Sequence, residues 1–173
     1  IEKNIANYYY TSAIKKLHIL IEKTKSVRIK EQSREQLVYL YFLKRQYERC
    51  INEIEETLKE FPNNEIVIIV AGIIHQKGYA EGTKLEKFAK MVKNVSFQKQ
   101  LVVYNRLRLF EDLVTRFEKD SKLSDDDFTL YQMAKVYEKL RKYEKAGELY
   151  NTLKENHPDE KQFSRKLVST YFQ

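Results

Sequence analysis

The stretch Leu130–Pro158, LYQMAKVYEKLRKYEKAGELYNTLKENHP, constrains this chain more than any other. Counted from Asp127 as place 1, Leu130, Met133, Ala134, Tyr137, Ala146, Tyr150 and Pro158 fall at places 4, 7, 8, 11, 20, 24 and 32. The apolar residues recur at helical spacing. The small residues at places 8 and 20 suit two helices whose backbones approach closely. Pro158 lacks an N–H and its ring clashes with the preceding turn, so it ends the second helix. The spacing predicts a hairpin of two helices in 34 residues.

The frame recurs. From Glu31, Leu37, Tyr41, Tyr47, Cys50, Ile54 and Pro62 take places 7, 11, 17, 20, 24 and 32. Arg34 at place 4 and Val38 at place 8 depart from it, and Val38 predicts a looser hairpin contact. From Glu65, Ile68, Ala71, Gly72, His75, Phe88 and Ser96 take places 4, 7, 8, 11, 24 and 32, with Lys84 a poor fit at place 20. Tyr10, Ala13, Leu17 and Leu20 are placed like a second helix over residues 8–25, as if a repeat were cut there.

These residues resemble the tetratricopeptide (TPR) family, whose pattern is W-x2-L-G-x2-Y, then A-x3-F, then P. The resemblance is closest over 127–160, good over 31–64 and weaker over 65–98. It implies an all-α, TPR-like α-solenoid of antiparallel hairpins, with residues 1–173 as one helical domain. It also implies a non-enzymatic module that holds an extended peptide or amphipathic helix of a partner protein, as an assembly or stabilising factor or scaffold.

Composition agrees with helices. Only 4 Gly and 2 Pro occur in 173 residues, too few for many β-turns. Charged residues make up 33% and apolar residues 42%, which supports a buried core rather than disorder. A coarse reading gives about nine helices, near 2–25, 28–44, 47–61, 64–78, 81–94, 97–120, 124–140, 143–156 and 159–172. The last is expected to cap the final repeat, because a terminal repeat otherwise shows its apolar side to water. The run Ile66–Ile74 would suit a buried strand, but Ala71-Gly72 and Gly78 favour a helix with a left-handed glycine cap. It is far shorter than the ~20 residues that span a bilayer. Ser124 is expected to cap the next helix, with Asp125, Asp126 and Asp127 at its positive end.

Residues 97–120 contain no Gly, Pro or turn cluster, and so predict one long helix outside the repeats. One helix in place of a hairpin would reverse the direction of all later helices in the stack. The alternative is a hairpin broken near Asn105.

Catalytic chemistry is sparse. His18, His75 and His157 are far apart, and Cys50 stands where the repeat needs a small buried residue. No phosphate-binding loop, dinucleotide turn, HExxH or nucleophile elbow is present. No catalytic, metal or cofactor site is expected. The net charge is +7. Lys84, Lys87, Lys90 and Lys93 recur every three residues, as a solvated helix face or a docking patch for an acidic protein, anionic lipid or nucleic acid. A basic-surface binder of nucleic acid or anionic membrane is therefore the alternative function, with nucleic acid the weaker choice because no reading module accompanies the charge.

The resemblance places a binding groove at places 2, 5, 9 and 12 of each first helix. There it points to Tyr39, Phe42, Ile69, Ile73, Tyr131 and Lys135, and predicts that the first four are partly exposed and close together. TPR proteins that clamp chaperone C-termini carry Lys and Asn at places 5 and 9 of their first repeat; Glu35 and Tyr39 stand here, against a carboxylate clamp. The groove would be apolar and aromatic. The Lys/Ile/Tyr-rich style is similar to TPR proteins of bacterial envelopes and of AT-rich spirochaetes. It leaves cytoplasm and periplasm or envelope both open, and the initial Ile suggests a fragment or processed form.

Overall fold

The computed structural model describes residues 2–79, 85–120, 123 and 125–172, with side chains from Tyr9 onward. Lys84 and Ser124 lie outside the described residues. Among the described residues there are ten α-helices and no strand. They are α1 Glu2–Lys23, α2 Val27–Leu43, α3 Tyr47–Glu60, α4 Glu65–Gln76, α5 Glu86–Met91, α6 Phe97–Arg106, α7 Phe110–Lys119, α8 Asp127–Lys139, α9 Tyr143–Asn156 and α10 Lys161–Tyr171. A 3-10 turn, Val92–Asn94, comes directly after α5. The fold is all-α and of the TPR-like helical-repeat kind, and Ile66–Ile74 lies wholly within α4. The chain forms two compact units, Ile1–Val103 and Tyr104–Gln173.

One turn geometry punctuates both units. Arg45, Gly78, Arg108 and Arg141 have φ of 56°, 63°, 59° and 57°. After each, the next N–H bonds the carbonyl five residues back: Gln46 to Tyr41, Tyr79 to Ile74, Leu109 to Tyr104 and Lys142 to Tyr137, at 2.9–3.1 Å. The left-handed residue itself bonds the carbonyl three back, which completes a Schellman cap.

The turn at Arg108 corrects one expectation. Residues 97–120 are not a single helix; α6 ends at Arg106 and α7 starts at Phe110. The physical reason is that a left-handed Arg satisfies the last carbonyls of α6 without glycine, so no Gly or Pro marks the break. With two helices here, the expected reversal of chain direction loses its basis.

In the first unit, α1 packs on α2, α2 on α3, and α4 on α5. Leu37, Val38, Cys50, Ile54, Val67, Ile69, Val70 and Ile74 are fully enclosed. Burying each such large aliphatic side chain stabilises by roughly 1.5–3 kcal/mol. The Val38 contact is not loose: the Cys50 thiol donates to the Val38 carbonyl at 3.3 Å. Arg34, the misfit at place 4, reaches across from α2 to α3 and pairs with Glu53 at 2.8 Å and Glu60 at 3.5 Å. Gly72 permits a close approach of α4 to α5 and the 3-10 turn, since a Cβ there would lie 2.5 Å from Val92 Cγ2.

In the second unit, α8 packs on α9 and α10 covers α9. Met133, Ala134, Ala146, Tyr150 and Leu153 are enclosed. The start of α8 is capped by Asp126, whose carboxylate accepts from the Thr129 N–H at 2.9 Å. Asp127 accepts from the Asn156 amide at 2.8 Å and meets His157 Nε2 at 2.6 Å, so the hairpin's two ends are clasped.

Candidate interaction surface

The expected groove residues do not behave alike. Tyr39, Phe42, Ile69 and Ile73 are 2%, 5%, 0% and 2% exposed. The expectation that they are partly exposed is not met. Phe42 lies in an aromatic cluster, 5.7 Å edge-on from Tyr47 and 6.2 Å from Tyr79, which stacks on Tyr47 at 4.3 Å. Tyr131 and Lys135 are half-buried in the second unit, with the Lys135 ammonium 5.3 Å from the Tyr131 ring centre. Tyr131 also meets Tyr150 and Phe163 edge-on at 6.3 and 6.0 Å. Phe163 belongs to α10, so the capping helix covers part of that face.

What the first unit does present is a cleft of about 340 Å³ lined by Glu31, Glu35, Asn64, Ile66, Lys99 and Val102, among others. Glu35 is place 5 of α2 and Ile66 is place 2 of α4, so two groove places do line an opening. The Asn64 amide donates to Glu31 and to Glu35, both at 2.8 Å, and its own oxygen caps α4 by accepting from the Val67 N–H at 3.0 Å. One side chain thereby fixes two carboxylates and a helix start. The Lys99 ammonium pairs with Glu65 at the rim. Val102, in α6, is 52% exposed and supplies an aliphatic wall. The cleft lining holds Glu31, Glu35 and Glu65 against Lys99, which pairs with Glu65, so Glu31 and Glu35 leave it net acidic. Sequence reasoning named Glu35 as a groove place but missed Asn64 and Val102. Val102 was hidden because α6 was read as lying outside the repeats.

A second, wider opening of about 820 Å³ lies on the second-helix side, between α3 and α5. Leu58, Pro62, Phe88 and Met91 line it, with Lys59 and Lys87 at its edge. Here the expected basic patch is only partly free. The Lys87 ammonium sits 4.5 Å from the Phe88 ring centre, Lys90 pairs with Glu86 at 2.8 Å, and Lys93 is exposed on the 3-10 turn.

Cys50 and His18 take part in packing and helix contacts. Burial pushes the Cys50 thiol up to about 12, so it stays protonated and unreactive at neutral pH. His18 Nε2 bonds the Tyr41 hydroxyl at 2.9 Å, which ties α1 to α2. Among the described residues no group of three or more His, Cys, Asp or Glu could hold a metal ion. No described helix is long and apolar enough to cross a membrane. In the second unit, burial and the bond donated to Glu118 at 3.1 Å raise the Tyr137 hydroxyl, while bonds from Lys145 and Tyr137 lower the Glu118 carboxyl.

Helical hairpins closed by one recurrent cap place the chain in the helical-repeat class of folds. A tetratricopeptide repeat family model matches residues 128–160, and the chain carries a tetratricopeptide repeat there. No curated protein and no solved structure matches the chain.

Proposed function

We propose that this chain, over residues 1–173, is a non-enzymatic scaffold that binds a partner protein through the first-helix cleft of its first unit. The observation that carries this reading is the convergence of α2, α4 and α6 on one opening, where Asn64 holds Glu31 and Glu35 in place beside Ile66 and Val102. Repeats of this family serve protein–protein interaction, and places 2 and 5 of their first helices face the ligand. The partner segment is an extended peptide or helix with basic residues beside aliphatic ones, since opposite charge steers and orients association. Tyr39, Phe42, Ile69 and Ile73 are buried in the core and do not line the cleft. Tyr131 and Lys135 are the corresponding contact candidates in the second unit. An assembly or stabilising role holds if the captured partner loses stability without this chain.

The test is capture from the native source with the intact chain, read by mass spectrometry, against a Glu31→Lys/Val102→Lys variant. Both positions line the opening, Val102 is half-exposed, and circular dichroism checks that the variant, which loses the Asn64–Glu31 bond, keeps its helices. The reading expects a defined set of proteins captured by the wild type and depleted by more than about tenfold in the variant. Equal capture by both would refute it.

A further inference from the structure

The tip joining α1 to α2 carries a surface that neither the core nor the cleft uses. Ile19, Leu20, Val27 and Ile29 are 51%, 42%, 69% and 43% exposed. Four large aliphatic side chains are this open within eleven residues of sequence. Lys15, Lys16, Lys23, Lys25 and Arg28 surround them, all exposed, and none forms an ion pair with a described residue. Glu22 is the only acidic residue between Tyr9 and Lys30.

The geometry holds these groups at one end of the hairpin. Lys16, Leu20 and Lys23 are spaced by four and three residues, so they share a face of α1. The linker is only three residues, Thr24 to Ser26, and it is tied down. The Thr24 N–H bonds the Leu20 carbonyl at 2.9 Å, and the Ser26 hydroxyl caps α2 by accepting from the Ile29 N–H at 3.4 Å. Val27, Arg28 and Ile29 therefore stand in the first turn of α2, directly beyond the end of α1.

We infer that this tip docks on an anionic phospholipid surface, with Ile19, Leu20, Val27 and Ile29 entering the headgroup layer and Lys23, Lys25 and Arg28 meeting lipid phosphates. The charge is complementary, since Lys15, Lys16, Lys23, Lys25 and Arg28 stand against Glu22 alone, and each basic residue near an acidic lipid surface adds to its attraction. The aliphatic content selects lipid over nucleic acid. Single-stranded bases stack on aromatic rings, and the only ring between Lys15 and Ile29 is His18, which is bonded to Tyr41. Duplex phosphates would meet the lysines but leave four aliphatic side chains in water.

The experiment is co-sedimentation of the intact chain with vesicles of phosphatidylcholine plus phosphatidylserine, against phosphatidylcholine alone, at low and high salt. The tip predicts binding to the mixed vesicles only, weakened by salt. Lys23→Glu/Lys25→Glu/Arg28→Glu should lose more than about tenfold in affinity. Val27→Asp/Ile29→Asp should also lose binding, whereas Lys87→Glu/Lys93→Glu should bind as wild type. The cleft variant Glu31→Lys/Val102→Lys should retain vesicle binding, which separates this inference from the protein-binding one. If circular dichroism shows the triple reversal unfolded, Lys23→Gln/Lys25→Gln/Arg28→Gln gives the same readout. Absence of binding to mixed vesicles overturns the inference. So does wild-type binding by the Val27/Ile29 variant, equal loss in the Lys87/Lys93 variant, or tighter binding of the same tip to duplex DNA or an acidic protein than to vesicles.

Discussion

The Cys50 sulfur lies 3.3 Å from the Val38 carbonyl oxygen, joining place 20 of one hairpin to place 8. It donates to a carbonyl on the facing helix. Val38 is larger than the usual small residue there, and the thiol of Cys50 is small and soft enough to keep the crossing tight. Burial pushes this thiol up to about 12 from 9.0. It should therefore resist a thiol-specific reagent at pH 8 in the folded chain and react at once in denaturant. The fold holds the proton that the unfolded chain releases above about pH 9, so this group's contribution to stability is intact below that pH and falls as pH rises towards 12. Cys50→Leu should destabilise by about 1–3 kcal/mol through overpacking, read by denaturant unfolding.

Gly72 and Val92 offer a sign test. Replacing a helical Gly with Ala ordinarily gains about 1 kcal/mol. Here the new Cβ would stand 2.5 Å from Val92 Cγ2, on a short, stiff side chain. The clash outweighs the propensity, so Gly72→Ala should destabilise by about 1–2 kcal/mol. In a Val92→Ala background the same change should become neutral or stabilising. Absence of that reversal would show that the two helices do not approach as described.

Much of this fold was legible in the sequence, for a physical reason. The core apolar places and the terminal prolines are what a helical hairpin requires, so 31–64 and 127–160 announced themselves, the latter also by Ala134 and Ala146 at places 8 and 20. The break at residues 107–109 did not. Arg108 gives no turn signal by residue type, and no Gly or Pro stands within residues 97–120. A signal existed: Arg45-Gln46-Tyr47, Arg108-Leu109-Phe110 and Arg141-Lys142-Tyr143 share Arg-x-aromatic at the turn. The cleft was harder to see. Burial of Tyr39 and Ile73 depends on neighbouring helices, which periodicity within one repeat does not reveal, and Asn64 acquires its role only when Glu31 and Glu35, about thirty residues away, come beside it.

Arg108→Gly distinguishes the two readings of residues 97–120 directly. At φ 59° an Arg costs about 1–2 kcal/mol relative to glycine, partly offset by glycine's freer unfolded chain. The substitution should stabilise by about 0.5–1 kcal/mol in denaturant unfolding. Within one continuous helix it would instead destabilise by about 1 kcal/mol.

Asp127 should give the second unit an acid-sensitive clasp. The Asn156 bond, then the His157 bond, holds its carboxyl below the ordinary 3.8. A carboxylate lowered in the fold contributes stability above its unfolded value, and that contribution is lost as pH falls through the folded one. The stability difference between wild type and Asp127→Asn should thus be present at pH 6 and shrink below about pH 3.8. The clasp is exposed, so the difference should be small and salt-sensitive. A difference unchanged down to pH 2 would contradict it.

The central claim is that a partner protein occupies the cleft where α2, α4 and α6 converge. Its most direct test is a photo-crosslinking residue placed at Val102, with a second copy placed at Lys93 as control, irradiated in the native source. Val102 faces the opening and Lys93 lies on the exposed 3-10 turn, so neither change touches the core. The account predicts a discrete protein adduct from position 102, lost when Glu31 is changed to Lys, and none from position 93. An adduct from position 93 with nothing at 102 would place the partner on the basic face and contradict it.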